Sequence, residues 1–534
     1  MILKNTYQKF KDLMTLTVKI GLSSVLIFNV INCSGASTDL ADDIIDGIGG
    51  GVSVDGGSNT NLGGSILPGT SGMLKAADGS PIAGASIALT SKNGGASYLK
   101  KQLKNKNGKF IPLFNMKDKN GNECEDITGG IDGNILARTC SDDKGTYSFT
   151  AENLPCNETI SLHAKKGSFY ISADVTLKCY DDSYYYPKED VVEIGDITFE
   201  PNCVVDRSVL NPKSTDSENK DDQEEVAVKD RVEADGCKFD IAKMAVVTGA
   251  YDEIENVLAK LGFASINEYG ALDKNQPMHF TLVDGNHSLD DANYDNLIDF
   301  LSDYEKLKKF DIVFINCGSS YESIQSNPEV IANLQQYVET GGKLYVTDWS
   351  YGFLENTYPS FMNFANGGHD PLTAESHGAA KVGSGGISVE ANVNDSVLQK
   401  WLGNVTVNDG SVGEDCYYLG ADKTNAKLGA LNANGTISIA DFLGAWAQME
   451  GEHIGYEGQS KVWITAENVN VYNGYYDYSD DVYEQTVQER MPLTVTQEKG
   501  EGRILYSSYH TAHSCLTKGF WPQERVLQYL VFEL

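Results

Sequence analysis

Groups able to cooperate in acyl transfer occur at two places in the chain. The run Thr347-Asp348-Trp349-Ser350-Tyr351-Gly352 carries a carboxylate and a hydroxyl two residues apart, and Tyr509-His510 supplies an imidazole. A serine attacks a carbonyl only when a base within hydrogen-bond reach takes its proton, and a carboxylate behind that base holds the ring in the needed tautomer. Ser350 is therefore the candidate nucleophile, His510 the candidate base, and Asp348 or Asp370 the candidate orienting group. The competing reading, and the favoured one, makes Asp348, Trp349, Ser350 and His510 the lining of a ligand-binding cleft that turns nothing over. His369, His377 and His513 add imidazoles nearby, but no HxxxH or HExxH spacing occurs, so no zinc site is expected.

A second set of donors lies at Asp284, Asn286, Ser288 and Asp295. Their spacing resembles an EF-type calcium loop. Leu289 stands at the sixth position, where glycine makes the sharp turn, so the bland reading comes first: a polar strand-to-helix loop whose acids cap the next helix. Calcium is the cofactor this spacing would suit, and none is expected. Tyr472, Tyr475, Tyr476, Tyr478 and Tyr483 form an aromatic group among acids, suited to a sugar or a protein and equally to an ordinary hairpin face.

These residues must be placed by the elements around them. From Cys237 onward, short apolar runs alternate with helical stripes. The runs 244–248, 280–283, 311–317 and 343–347 read as buried strands. Asp252 with Glu255 has the capping-box spacing, Ile254, Val257, Leu258 and Leu261 share a helical face, and Gly262 ends it. Tyr294, Leu297, Ile298, Leu301 and Tyr304 form a second stripe. Asn327-Pro328 starts a third helix that ends at Gly341. Such alternation argues for a doubly wound parallel sheet. A segment at about 366–490 interrupts it with β-type runs before the strand 503–508 and a last helix. In sheets of this type, ligands gather at the carboxyl ends of the strands. Thr248-Gly249-Ala250, Cys317-Gly318-Ser319, Thr347 to Ser350 and Tyr509-His510 should therefore share one edge, with Trp349 or Tyr351 as an apolar wall.

The run "GG-K-L-Y-V-T-D" after an amphipathic helix, and the late "G-x-G-R-I-L-Y-S-S-Y-H", resemble class I glutamine amidotransferase-like domains, including the ThuA-like branch. The resemblance implies a flavodoxin-like α/β fold, a cysteine nucleophile in the turn after the central strand, and a histidine after a later strand with glutamate two residues beyond it. Here that turn has no cysteine, and Ala512 stands two residues after His510. Glutaminase activity is therefore not expected. The residual alternative is an envelope hydrolase using Ser350 and His510.

The chain has 534 residues, room for about two to four domains. Its 42 Lys+Arg against 75 Asp+Glu give a formal charge of -33, which disfavours nucleic acid and anionic lipid surfaces as partners. Lys4, Lys9, Lys11 and Lys19 precede the uncharged run 20–31, too short to span a bilayer and patterned as an export signal. The sequence Val30-Ile31-Asn32-Cys33 resembles a bacterial lipobox, which implies cleavage after residue 32 and lipidation of Cys33. Asn32 departs from the usual Gly or Ala. A lipid-anchored, exported protein of the bacterial envelope is expected, at the outer membrane or cell surface, with a carbohydrate or an envelope protein as ligand.

Of the ten cysteines, nine follow Cys33. None forms a CxxC pair, and in an oxidising compartment disulfides are the expected use. The expected pairs are Cys124–Cys140, Cys156–Cys179, Cys203–Cys237 and Cys416–Cys515, with Cys317 left buried and unpaired.

Residues 33–70 are a Gly/Ser-rich tether, and 204–236 an acidic linker. Between them, 71–203 reads as all-β. The turn Pro81-Ile82-Ala83-Gly84-Ala85, the run from Asp143 to Phe149 and Leu154-Pro155 resemble the carboxypeptidase regulatory-like family, which implies a transthyretin-like sandwich serving as a spacer or adhesion module. The expected architecture is multidomain: that sandwich, then the α/β domain over 237–534 with its β-rich insertion.

Overall fold

The computed structural model describes residues 70–91, 124, 135–149, 159–176, 197–199, 204–205, 238–285, 289, 294–318, 321–364, 380, 382–383, 387–407, 428–442, 446–452, 458–472, 485–511 and 518–534. All of them lie in the unit Gly64–Leu534. The export signal, Cys33, the tether, most of the acidic linker, Cys156, Cys179, Cys203, Cys237, Cys416 and Cys515 fall outside the described residues, as do His369, Asp370, His377 and His513.

The chain is a mixed α/β protein in which strands predominate. Its first part holds two small sheets. One has the order Thr146–Phe149, Thr70–Ala76, Ile197–Phe199, Val204–Val205. The other runs Ile135–Cys140, Ser86–Ser91, Thr159–Lys166, Phe169–Thr176, Lys238–Asp240. The turn before Thr146–Phe149 shows why its residues are needed. Asp142 Oδ1 accepts from the amides of Lys144 and Thr146, both at 2.9 Å. Gly145 sits at φ +71°, where a Cβ would come within 2.4 Å of the Leu74 carbonyl, so only glycine fits. Cys124 and Cys140 form the expected disulfide, with Cα atoms 6.2 Å apart. Lys238–Asp240, assigned to the α/β segment on sequence grounds, instead supplies the last strand of the five-stranded sheet, pairing with Phe169–Thr176. Phe239 packs there on Phe199, with ring centroids 5.4 Å apart.

The α/β part is built on five parallel strands in the spatial order Phe280–Val283, Met244–Val247, Ile312–Ile315, Lys343–Thr347, Gly502–Ser507. The long antiparallel strands Gln485–Lys499 and Ser460–Tyr472 continue the same sheet, and the latter pairs with Val382–Gly383 and Ile387–Val393. The inserted segment thus widens the sheet to eleven strands.

Successive strand residues face opposite sides, and the core follows that period of two. Met244, Val246, Ile312 and Phe314 join one apolar cluster, whereas Ala245, Val247, Val313 and Ile315 join another. The second cluster is closed by helix Pro328–Glu339, which buries Val330, Leu334, Tyr337 and Val338. Asn327 caps that helix by accepting the Glu329 amide at 2.9 Å. The first cluster also contains Leu74, Phe149, Phe169 and Phe199 from the small sheets and Leu530 and Phe532 from helix Pro522–Glu533. The β-rich first part and the α/β part therefore share one core. Polar ties cross the same boundary: Trp401 Nε1 donates to the Pro81 carbonyl at 2.6 Å, and Arg525 meets Asp78 at 2.6 Å.

Two local expectations change. The stripe from Tyr294 to Tyr304 divides into Leu297–Leu301 and Tyr304–Leu307, because Asp303 restarts the chain as an N-cap for the Glu305 amide. Asp252 does not cap Ile254–Leu258 through a capping box. Its Oδ1 accepts instead from the Thr511 amide at 2.8 Å and from the Thr511 hydroxyl.

Candidate functional site

The register of the parallel strands determines what meets at their carboxyl ends. Ile315 lies opposite Val346, and Thr347 opposite Ser507. Carried a residue or two further, the same rows bring Cys317 beside Asp348 and leave His510 just beyond it. Cys317 Sγ is 3.4 Å from Asp348 Oδ2, and His510 Nε2 is 2.8 Å from the same oxygen. One ligand atom from each of the three residues lies within 4.8 Å of the others.

The chain adopts an unusual backbone to achieve this. Asp348 directly follows strand Lys343–Thr347 and has φ +39°. Aspartate is among the few residues that accept the left-handed region at modest cost. A 3-10 turn, Asp348–Tyr351, then leads into helix Gly352–Thr357. The turn is held from three sides. Asp348 Oδ1 accepts the Ala447 amide at 2.6 Å, its carbonyl accepts the Tyr506 hydroxyl at 3.1 Å, and Thr347 Oγ1 accepts the Cys317 amide at 2.8 Å. Ala447 belongs to the inserted segment, so that segment seals the turn.

The result is a buried centre. Asp348 and Cys317 are fully buried and His510 is 2 % exposed. Neighbouring strand ends close on one another through glycines. A Cβ on Gly249 would lie 2.1 Å from the Cys317 carbonyl, and one on Gly285 would lie 2.0 Å from the Thr248 carbonyl. Burial pushes the Cys317 thiol well above its usual range, and the Asp348 carboxylate adds to the effect. At neutral pH Cys317 is thus a thiol, a poor nucleophile. Nearby, burial pushes Glu255 up to about 7, opposed by hydrogen bonds from its own backbone amide and from the Asn316 side chain.

The structure brings Asp348 and His510 together, below the surface instead of on an open wall. Ser350 is also fully buried, and its hydroxyl donates to the Asn316 carbonyl at 2.8 Å. Trp349 is half-buried beside Tyr351, whose hydroxyl accepts the Ala380 amide at 3.1 Å. Cys317 is free and buried, as expected from its place at the end of an apolar run. Its contact with Asp348, 31 residues on, carries no local sequence signal, because it depends on the register between two strands. The Ala447 amide left no side-chain signal at all. In the calcium-like loop, Asp295 pairs with Lys306 Nζ at 2.8 Å and Asp284 Oδ1 accepts the Leu289 amide at 3.4 Å. Asn286 and Ser288 lie outside the described residues, as do Tyr475, Tyr476, Tyr478 and Tyr483.

A cavity of about 470 Å³ adjoins the amino ends of Lys343–Thr347 and Gly502–Ser507, lined among others by Lys166, Lys343, Lys461, Trp463, Arg503 and Tyr529.

No known protein family and no curated protein matches the chain. Among solved structures, a ThuA-like protein from Bacteroides uniformis aligns at 12% identity and a TM-score of 0.27, over 55% of this chain and 89% of that one. A GH42 β-galactosidase from G. stearothermophilus aligns at 11% identity and 0.21, over 55% of this chain and 30% of the enzyme. One from Bacillus circulans sp. alkalophilus aligns at 14% and 0.22, over 54% and 30%. At these identities and scores, none carries an argument about this chain.

Proposed function

We propose that this chain is an exported, lipid-anchored protein of the bacterial envelope whose amidotransferase-like domain binds or supports and does not turn over a substrate. One observation carries the reading. In the turn where amidotransferases hold their cysteine, this chain holds Asp348, and both carboxylate oxygens are occupied, by the Ala447 amide and by His510. A substrate carbonyl has no approach to a group so enclosed. The hydrolase alternative needs the Ser350 hydroxyl to face His510, and that hydroxyl is given to Asn316.

The finer fold belongs to the same proposal. The parallel strands, numbered along the chain, stand in the order 2-1-3-4-5, which supports a flavodoxin-like domain. The two small sheets sharing a core support a transthyretin-like sandwich. Lipidation at Cys33, a position on the outer membrane or cell surface, and a carbohydrate or envelope-protein ligand rest on the sequence.

Two measurements test the reading. Replacing Cys33 by Ala should move the protein from the detergent phase to the aqueous phase of a partition assay, and unchanged retention refutes the anchor. The purified protein should hydrolyse no ester or amide in a broad chromogenic panel. Turnover that disappears in Ser350→Ala would establish the hydrolase instead.

A further inference from the structure

We propose that Cys317, Asp348 and His510 form a buried site for one thiophilic divalent cation, zinc by its donor set. The inference stands apart from the envelope reading and survives its failure.

The three residues come from the ends of three adjacent parallel strands and offer a sulfur, an oxygen and a nitrogen, all within 4.8 Å of one another. Zinc takes this mixture at about 2.3 Å from sulfur and about 2.0–2.2 Å from nitrogen or oxygen. In a tetrahedron those lengths separate sulfur from oxygen by about 3.6 Å and nitrogen from oxygen by about 3.4 Å. Cys317 Sγ and Asp348 Oδ2 are already 3.4 Å apart. His510 Nε2 lies 2.8 Å from Oδ2, so the ring must draw back by about half an ångström to admit the ion.

The surroundings suit an ion. The Ala447 amide holds Asp348 Oδ1, so the carboxylate presents Oδ2 alone to the other two donors. The positive φ at Asp348 places that side chain between Cys317 and His510. Charge balances too. On binding, the Cys317 S–H bond breaks, a metal–sulfur bond forms and the proton leaves to solvent. A dication with one thiolate, one carboxylate and a neutral imidazole has no net charge, which a fully buried site requires. Three protein ligands leave a fourth position for water. Sequence spacing hid the site, since its ligands lie on three separate strands and not at i, i+4 on one helix.

Without an ion the same atoms are joined by the Cys317–Asp348 hydrogen bond and the close contact of His510 with Asp348, and the experiment separates the two states. The full chain is refolded with excess Co²⁺ and, separately, Zn²⁺, then freed of loose metal by gel filtration. The proposal expects about one bound equivalent, a thiolate-to-cobalt charge-transfer band, and a Tm raised by either ion. Cys317→Ser should remove the band while far-UV circular dichroism shows a folded chain. His510→Ala should lower the metal content. Two results overturn the site: a wild-type protein without the band, or a band that persists in Cys317→Ser and so belongs to other cysteines. A wild-type spectrum without the band overturns the site even where a variant fails to fold, and metal content lowered in His510→Ala, whose cysteines are all intact, ties a wild-type band to this centre.

Discussion

At their carboxyl ends the five parallel strands close on one another; at their amino ends two of them open into a cavity. Gly249 and Gly285 let backbone touch backbone at the first end, and Asp348, Cys317 and His510 are sealed there beneath the inserted segment. Lys343 and Arg503, at the starts of their strands, line the cavity of about 470 Å³ at the other end. Function in sheets of this type is expected at the carboxyl end. In this chain that end is packed as a core, with Asp348 meeting Cys317, His510 and the Ala447 amide, while exposed charge such as Lys461 lies opposite. Substitutions at the first end should therefore read out in stability, and those at the second should leave stability almost untouched.

The largest effect expected is Asp348→Ala. It removes the carboxylate between His510 and the Ala447 amide, leaving both buried without that partner, and it puts alanine at φ +39°. Breaking a buried pair from one side costs about 3–5 kcal/mol. Urea unfolding should show a loss of that size. A variant as stable as the parent would mean that the carboxyl end is a binding surface after all, and the contrast between the ends would collapse.

The second test uses pH. Burial pushes Glu255 up to about 7 from an ordinary 4.5, so the folded state holds its proton more tightly than the unfolded chain does. A group raised in this way contributes stability that is complete below about pH 4.5 and is lost as pH rises through about 7. Integrated over that window, the loss is about 3 kcal/mol. Glu255→Gln stays neutral and can still accept from Asn316, so its stability should change less between pH 5 and pH 8 than the parent's. Parallel curves for the two proteins would show that Glu255 does not carry this linkage.

The difference between the ends was partly legible before the structure. The four strands 244–247, 280–283, 312–315 and 343–347 announce themselves as short apolar runs bounded by polar residues. Asn327, Pro328 and Gly341 mark a helix by local chemistry alone. What stayed hidden depends on distant partners. Asp252 has the same local signature whether it caps its own helix or reaches Thr511, 259 residues away. Lys238–Asp240 alternates equally well in either sheet. The sealing of Asp348 rests on a backbone amide 99 residues on, which every residue but proline possesses. Residue types pointed to Asp348 and His510; only packing decides whether they face water.

The smallest effect is expected at the amino end, with Lys461→Ala. Lys461 Nζ pairs with Asp395 Oδ2 at 2.7 Å and sits 3.4 Å from the centroid of the Trp463 ring, yet the lysine side chain remains 49% exposed. Burial works against the charged form of Asp395. Hydrogen bonds from Lys461 and from the Leu398 and Val397 amides outweigh it and hold the carboxyl below its usual value. The two amide bonds, at 2.8 and 2.9 Å, cap helix Ser396–Leu402 and survive the substitution. What is lost is an ion pair open to water and one cation over a ring, together worth about 1 kcal/mol or less. Added salt should shrink even that difference, since exposed pairs are screened. Trp463 stays buried and keeps its 2.8 Å bond to Thr496, so its fluorescence should respond to the missing ammonium without the red shift of a ring moved into water. A loss near that of Asp348→Ala would show that the amino end is also a closed, stability-bearing centre, and the two ends would then differ in shape alone.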